Sequence, residues 1–198
     1  MRPMLPVTAY TAVDVETPNY RSDSLCSIGI VHVEYGRVLF EKEYLVNPEA
    51  HFDSMNIAIH GITPNMVKNA PTFPEVWSDI SRYFTGGLLL AHSATFDLSV
   101  ICRSLARYGM EIPDLYYICT CRKARRHIEK FEFGNHKLNT LCTGLHIALD
   151  HHHNALCDAK ACADLFEVLV DKYGADEADI RSYRFAPKKE KMQASISL

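Results

Sequence analysis

Apolar positions along the chain change period part-way through. Val7 to Glu16, Leu25 to Glu34 and Val38 to Val46 are rich in β-branched and aromatic residues, with turn signals at Thr17-Pro18-Asn19 and Tyr35-Gly36. Three consecutive antiparallel strands are expected to open the domain. The stretch 52–73 holds His60-Gly61-Ile62-Thr63-Pro64 and a second proline, Pro71, and reads as short helical turns before a helix from about Pro74 to Tyr83. Gly87 to His92 is a short apolar run, and Phe96 to Tyr108 then carries Leu98, Ile101 and Leu105 at helical spacing, so a buried strand feeds a helix. Asp114 to Thr120 reads as a fifth strand, Leu138 to Leu145 as a helix, and Ala155 to Tyr173 as a long amphipathic helix closed by Gly174. Strands first and alternating strands and helices afterwards define an α/β fold, a mixed five-stranded sheet with helices on both faces.

The composition agrees with one core. With 198 residues and 47% hydrophobic residues, the chain is long enough for one sizeable domain. We place that domain at 1–176. A polar, acidic connector with Asp176, Glu177 and Asp179 leads into a basic stretch holding Arg181, Arg184, Lys188, Lys189 and Lys191, so 177–198 is expected to be a flexible tail. The formal net charge of −3 excludes a protein that coats nucleic acid through bulk charge, so any nucleic acid must be gripped locally. One local cationic segment, Arg122, Lys123, Arg125, Arg126 and Lys130, is either a track for a single strand or a solvated surface.

Seven cysteines form an odd set without a CxxC pair or a visible disulfide framework, and no secretory signal is seen, which points to a reducing, cytoplasmic compartment. Cys119 and Cys121 with His127 do not have the spacing of a zinc site. No apolar run reaches the roughly 20 residues of a membrane helix, so no membrane association is expected.

The residues with chemistry to offer are acidic. Asp14 and Glu16 lie two apart on the first expected strand, and strand alternation turns both carboxylates to one face. Two anions placed there call for a cation. Asp97 sits at the start of the helix after the short strand, where the helix N-terminus favours negative charge. His153-Asn154-Ala155-Leu156-Cys157-Asp158 places a histidine before the last helix and a carboxylate in its first turn. Each has a bland explanation alone: a solvated strand end, a first-turn aspartate, a surface histidine.

Their order along the chain resembles the DEDDh 3′–5′ exonucleases, a branch of the RNase H-like superfamily that includes the DnaQ-like proofreaders of the DNA polymerase III epsilon type. The likeness runs from about Val7 to Tyr173. It is carried by Val13-Asp14-Val15-Glu16-Thr17, by Ala91-His92-Ser93-Ala94-Thr95-Phe96-Asp97, by His153 to Asp158 with Ala159, and by the intermediate His60-Gly61-Ile62-Thr63. The chain departs from the family pattern at Pro18-Asn19, where Thr-Gly is usual, at Ser93, where Asn is usual, and at Asn154, where Arg is frequent.

The resemblance implies a metal-dependent exonuclease that releases nucleoside monophosphates from the 3′ end of DNA in proofreading or repair. Asp14, Glu16, Asp97 and Asp158 are then the ligands of two Mg²⁺ or Mn²⁺ ions, and His153, at the family's five-residue offset from Asp158, is the general base. Thr17, His60, His92 and Phe96 are candidate substrate contacts. The alternatives are an RNA-trimming exoribonuclease like RNase T or oligoribonuclease, and a catalytically silent nucleic-acid or clamp-binding module. Single-stranded 3′ ends, DNA rather than RNA, are the expected partner, with a DNA polymerase or a sliding clamp as a further one. For the clamp, Gln193, Ile196 and Leu198 in the last six residues resemble the glutamine-plus-hydrophobic peptides of bacterial replication proteins.

Overall fold

The structure, a computed structural model, describes residues 7–186. Three strands come first: β1 (Ala9–Glu16), β2 (Ser27–Glu34) and β3 (Arg37–Leu45). The short helices α1 (Ser54–His60) and α2 (Pro64–Val67) follow, then α3 (Phe73–Ile80) with a 3₁₀ turn at Ser81–Tyr83. The alternating part comprises β4 (Leu88–Ala91), α4 (Thr95–Arg107), β5 (Leu115–Cys119), α5 (Thr120–His127), α6 (Lys130–Phe133), α7 (Leu138–Leu145) and α8 (Ala155–Tyr173). A 3₁₀ turn at Glu177–Asp179 and β6 (Arg181–Tyr183) end the described chain.

The sheet has the order β3-β2-β1-β4-β5-β6. β1 runs antiparallel to β2 and parallel to β4, which runs parallel to β5, while β6 returns antiparallel to β5. This is the expected mixed α/β sheet with one strand more than the five read from the sequence. The sixth lies inside the stretch expected to be tail. Its charge pattern looks solvated in one dimension, but Ile180 and Asp179 are buried and Arg181–Tyr183 pairs with the open edge of β5, Ser182 opposite Tyr116. Gln193, Ile196 and Leu198 lie outside the described residues.

Both faces of the sheet are covered, as the alternation in β1 requires. Val13 and Val15 face a core shared with α3 and α4, including Trp77, Leu98 and Ile101. Tyr10 and Ala12 face the other way, onto Ala159, Cys162 and Phe166 of α8. The same parity sends Asp14 and Glu16 toward the α8 side. β4 is buried along its whole length, as its unbroken Leu88-Leu89-Leu90-Ala91 run dictates for a central parallel strand. Cys119 ends β5 and Cys121 lies on α5.

α5 and α6 are the helices that the periodicity did not show, because charges dominate Thr120–His127. Their anchoring corrects the cationic track. Lys123 is 1% exposed and donates to the Gly174 carbonyl at 2.7 Å and to Asp179 Oδ2 at 2.9 Å. Arg126 donates to Asp179 Oδ1 and Asp176 Oδ2, both at 2.6 Å. Two of the five cations of the expected track are therefore engaged in clamping the acidic connector to α5.

Candidate active site

Asp14 and Glu16 stand at the C-terminal end of β1, and Asp158 enters from the first turn of α8. One carboxylate oxygen from each of the three lies within 4.8 Å of the others. Asp97 reaches the same floor from the first turn of α4, where it is 2% exposed and accepts hydrogen bonds from its own amide and from the Val15 N–H. That bond fastens α4 to the middle of the Asp14–Glu16 pair. Asn154 caps α8 by accepting the Cys157 N–H at 3.0 Å, and its amide group donates to Glu43 Oε2 at 2.9 Å. Where the family frequently has arginine, this chain thus ties the start of α8 to β3.

No Lys or Arg is ion-paired with these four acids among the described residues. Loss of water raises the Asp14 pKa well above the usual carboxylate range, and the charges of Asp97, Asp158 and Glu16 raise it further. Burial, then Asp158 and Asp97, pushes Glu16 to about 8. Burial is also the largest influence on Asp97, which is raised despite its two backbone hydrogen bonds. Mutually repelling acids at one spot are what a divalent cation relieves. The donors are all oxygen, which suits Mg²⁺ or Mn²⁺.

His153 sits at the cleft with a positive φ of 70° and donates its backbone N–H to Asp158 Oδ2 at 2.9 Å. Its ring makes no side-chain hydrogen bond among the described residues, and burial followed by the neighbouring His152 lowers its pKa below 6.5. His152 is not the plain solvated residue its position in a run of three histidines suggests. Its Nδ1 lies 2.9 Å from Asp158 Oδ1. Residue type and spacing could not separate it from His151.

The remaining candidates divide. Phe96 is 47% exposed and lines the cleft, open to an incoming ring. Thr17 is buried, and its carbonyl accepts from Asn56 Nδ2 at 2.9 Å and from His60 Nε2 at 3.1 Å. The Ile62 N–H donates to His60 Nδ1, which leaves the ring proton on Nε2 for Thr17. His60 therefore holds the segment after the acid pair and has no nitrogen to spare for a phosphate. His92 is similarly committed: Nε2 donates to the His136 carbonyl at 2.9 Å and Nδ1 accepts from Thr120 at 3.0 Å. At Pro18-Asn19, the unusual pair is tied down, with the Asp53 N–H on the Pro18 carbonyl and Asn19 donating to the His51 carbonyl.

The four acids lie at the bottom of an open cleft of about 980 Å³. Its far wall is the segment from α5 to α7, which contributes Arg125, Lys130 and Lys137. Lys137 was outside the sequence-based cationic segment, since only the fold of α6 and α7 brings it round to the acids.

The exonuclease family, of RNase T type, matches residues 11–166. A Mycobacterium tuberculosis protein described as a bifunctional exonuclease/endonuclease is 32% identical over 188 residues, 89% of this chain and 29% of that protein. A PolC-type DNA polymerase III of Caldanaerobacter subterraneus is 30% identical over 165 residues, 82% of this chain and 12% of the polymerase. The chain thus spans a minor part of either relative's length. Exonuclease X in complex with 5′-overhanging duplex DNA has a TM-score of 0.67 and 25% identity, with 86% of this chain and 96% of that one covered. The nuclease domain of 3′hExo, a DEDDh family member bound to rAMP, has a TM-score of 0.72 at 16% identity, with 93% and 100% covered, and so shares the fold. The chain belongs to the exonuclease family, and within it to the DEDDh, DnaQ-like 3′–5′ exonucleases with an RNase H-like fold.

Proposed function

We propose that this exonuclease removes nucleotides from the 3′ end of single-stranded DNA, or of a frayed duplex end, as a proofreading or repair activity in the cytoplasm. The observation that carries the reading is the floor of the cleft, where Asp14, Glu16 and Asp158 converge with no Lys or Arg ion-paired to them among the described residues. Asp14, Glu16, Asp97 and Asp158 are the residues to hold two Mg²⁺ or Mn²⁺ ions, which when bound supply charge stabilisation for the attacking and leaving oxygens of the phosphodiester. His153 takes the proton of the attacking water through a ring that makes no side-chain hydrogen bond among the described residues. Its lowered pKa keeps it unprotonated near neutrality.

Phe96 offers a face for the terminal base, and base stacking on such rings tolerates any sequence. Arg125, Lys130 and Lys137 meet the phosphates that follow. Preference for DNA is supported by the polymerase and Exonuclease X relatives, one named for DNA synthesis and the other bound to duplex DNA. The same kinship favours a polymerase as physical partner. Competition between 5′-labelled DNA and RNA strands of one sequence tests the substrate. Faster shortening of DNA is expected; faster shortening of RNA makes the chain an RNA-trimming enzyme.

A further inference from the structure

Next to the all-oxygen triplet stands a second one with different donors. The donor atoms of His152, His153 and Asp158 also lie within 4.8 Å of one another. The two histidine rings stack with centroids 3.9 Å apart, and His152 Nδ1 faces both oxygens of Asp158 at 2.9 and 3.1 Å. The loop holds this arrangement before any ion arrives. Asn154 N–H closes a turn on the His151 carbonyl, and the His153 N–H restrains Asp158 Oδ2. The His152 side chain is 31% exposed and the cleft opens onto both rings, so an ion has a path in.

Two imidazoles and a carboxylate, with a fourth position left to water, make a donor set suited to zinc, and Zn²⁺ outranks Mg²⁺ and Mn²⁺ for nitrogen ligands. The two triplets share Asp158, so both cannot be satisfied by that carboxylate in the same way at once. We propose that His152, His153 and Asp158 form a zinc site that competes with the catalytic ions for Asp158 and takes His153 out of use as a base. Zn²⁺ is then an inhibitor of hydrolysis acting in part through His152, which is neither a ligand of the all-oxygen triplet nor the proposed base. The inhibitory consequence rests on the roles given above to Asp158 and His153, whereas the zinc site itself does not.

The test titrates Zn²⁺ into the full chain against a chromogenic chelator, with Mn²⁺ binding measured separately, for the wild type, His152→Ala and His152→Gln. Glutamine can still donate to Asp158 but is a poor zinc ligand, so it separates holding the carboxylate from binding the metal. Both variants are expected to lose Zn²⁺ affinity on the order of 100-fold and to change Mn²⁺ affinity less than about threefold, because only one set of donors has lost a member. The Zn²⁺ concentration that halves Mg²⁺-supported shortening of a labelled strand is expected to rise in the same proportion. Unchanged Zn²⁺ affinity in His152→Ala, recovery of it in His152→Gln, or a parallel fall for Zn²⁺ and Mn²⁺ overturns the proposal. A wild type that binds Zn²⁺ as described but shows no Mg²⁺-dependent hydrolysis contradicts the catalytic reading and supports the zinc site.

Discussion

Gly29 is the partner of Asp14 across the β1–β2 ladder, and a Cβ on Gly29 would fall 2.1 Å from the Ala155 carbonyl oxygen and 2.4 Å from the Leu156 nitrogen. The backbone of α8 thus rests directly on β2 behind the first metal-ligand candidate. That contact sets how far Asp158 stands from Asp14. Gly29→Ala is expected to push the start of α8 outward, at a cost of about 1 to 3 kcal/mol for overpacking. Turnover is expected to fall about 100-fold, since a displacement near 1 Å has that effect on an aligned site. Thermal melts with kcat measurements check it, and wild-type kcat in a folded Gly29→Ala protein rejects the spacer role.

The acid cluster makes stability without divalent metal fall as pH rises. Glu16 has a folded pKa of about 8 and an unfolded one in the ordinary range, near 4.5, so the folded state holds its proton more tightly. The contribution is fully present below the unfolded value and is lost as pH climbs through 8. In EDTA the melting temperature is therefore expected to drop between pH 5 and 9. Glu16→Gln keeps the size and removes the charge, so it should raise stability by roughly 1 to 3 kcal/mol at pH 9 and leave it nearly unchanged at pH 5. A variant that melts lower than the wild type at pH 9 speaks against repulsion as the dominant effect.

His153→Ala is expected to slow hydrolysis by about 100- to 10,000-fold, the usual contribution of a positioned base, while Mn²⁺ binding persists. Because the folded pKa lies below 6.5, the wild-type rate should rise with pH on the acid side and level off before neutrality. The variant should lose that limb. A large loss of metal affinity with kcat preserved contradicts the assignment.

Cations on the cleft wall and cations in the clamp respond differently to charge reversal. Arg125→Glu and Lys137→Glu are expected to weaken binding of a single strand and to lower the slope of log affinity against log salt by about 0.7 per lost phosphate contact. Lys123→Met leaves buried Asp179 with Arg126 as its remaining ion-pair partner and is expected to cost about 3 kcal/mol of stability. Salt-dependent binding and melting curves separate the two groups; equal behaviour of both contradicts the division.

Why some of this was visible in the sequence is a matter of range. Asp14 and Glu16 show themselves by strand parity, and Asp97, His153 and Asp158 by their places at helix starts, all within a few residues of chain. The elements they sit on have strong periods, down to Gly174 with its positive φ closing α8. What escaped depends on partners far away. β6 exists because Lys123 and Arg126 hold Asp179 beside β5, more than fifty residues back. Lys137 joins the cleft wall only through the fold of α6 and α7. Gly29 and Glu43 matter through α8, which no local pattern on β2 or β3 announces. His152 faces Asp158, a contact that its residue type and spacing do not announce.

The most direct measurement follows a 5′-labelled DNA strand incubated with the purified chain in Mg²⁺, Mn²⁺ or EDTA, with Asp14→Ala as control. The account predicts a ladder shortening one nucleotide at a time from the 3′ end, present with either metal and lost in EDTA and in Asp14→Ala. Shortening that persists without divalent metal or without the Asp14 carboxylate, or an intact strand under every metal, would contradict it.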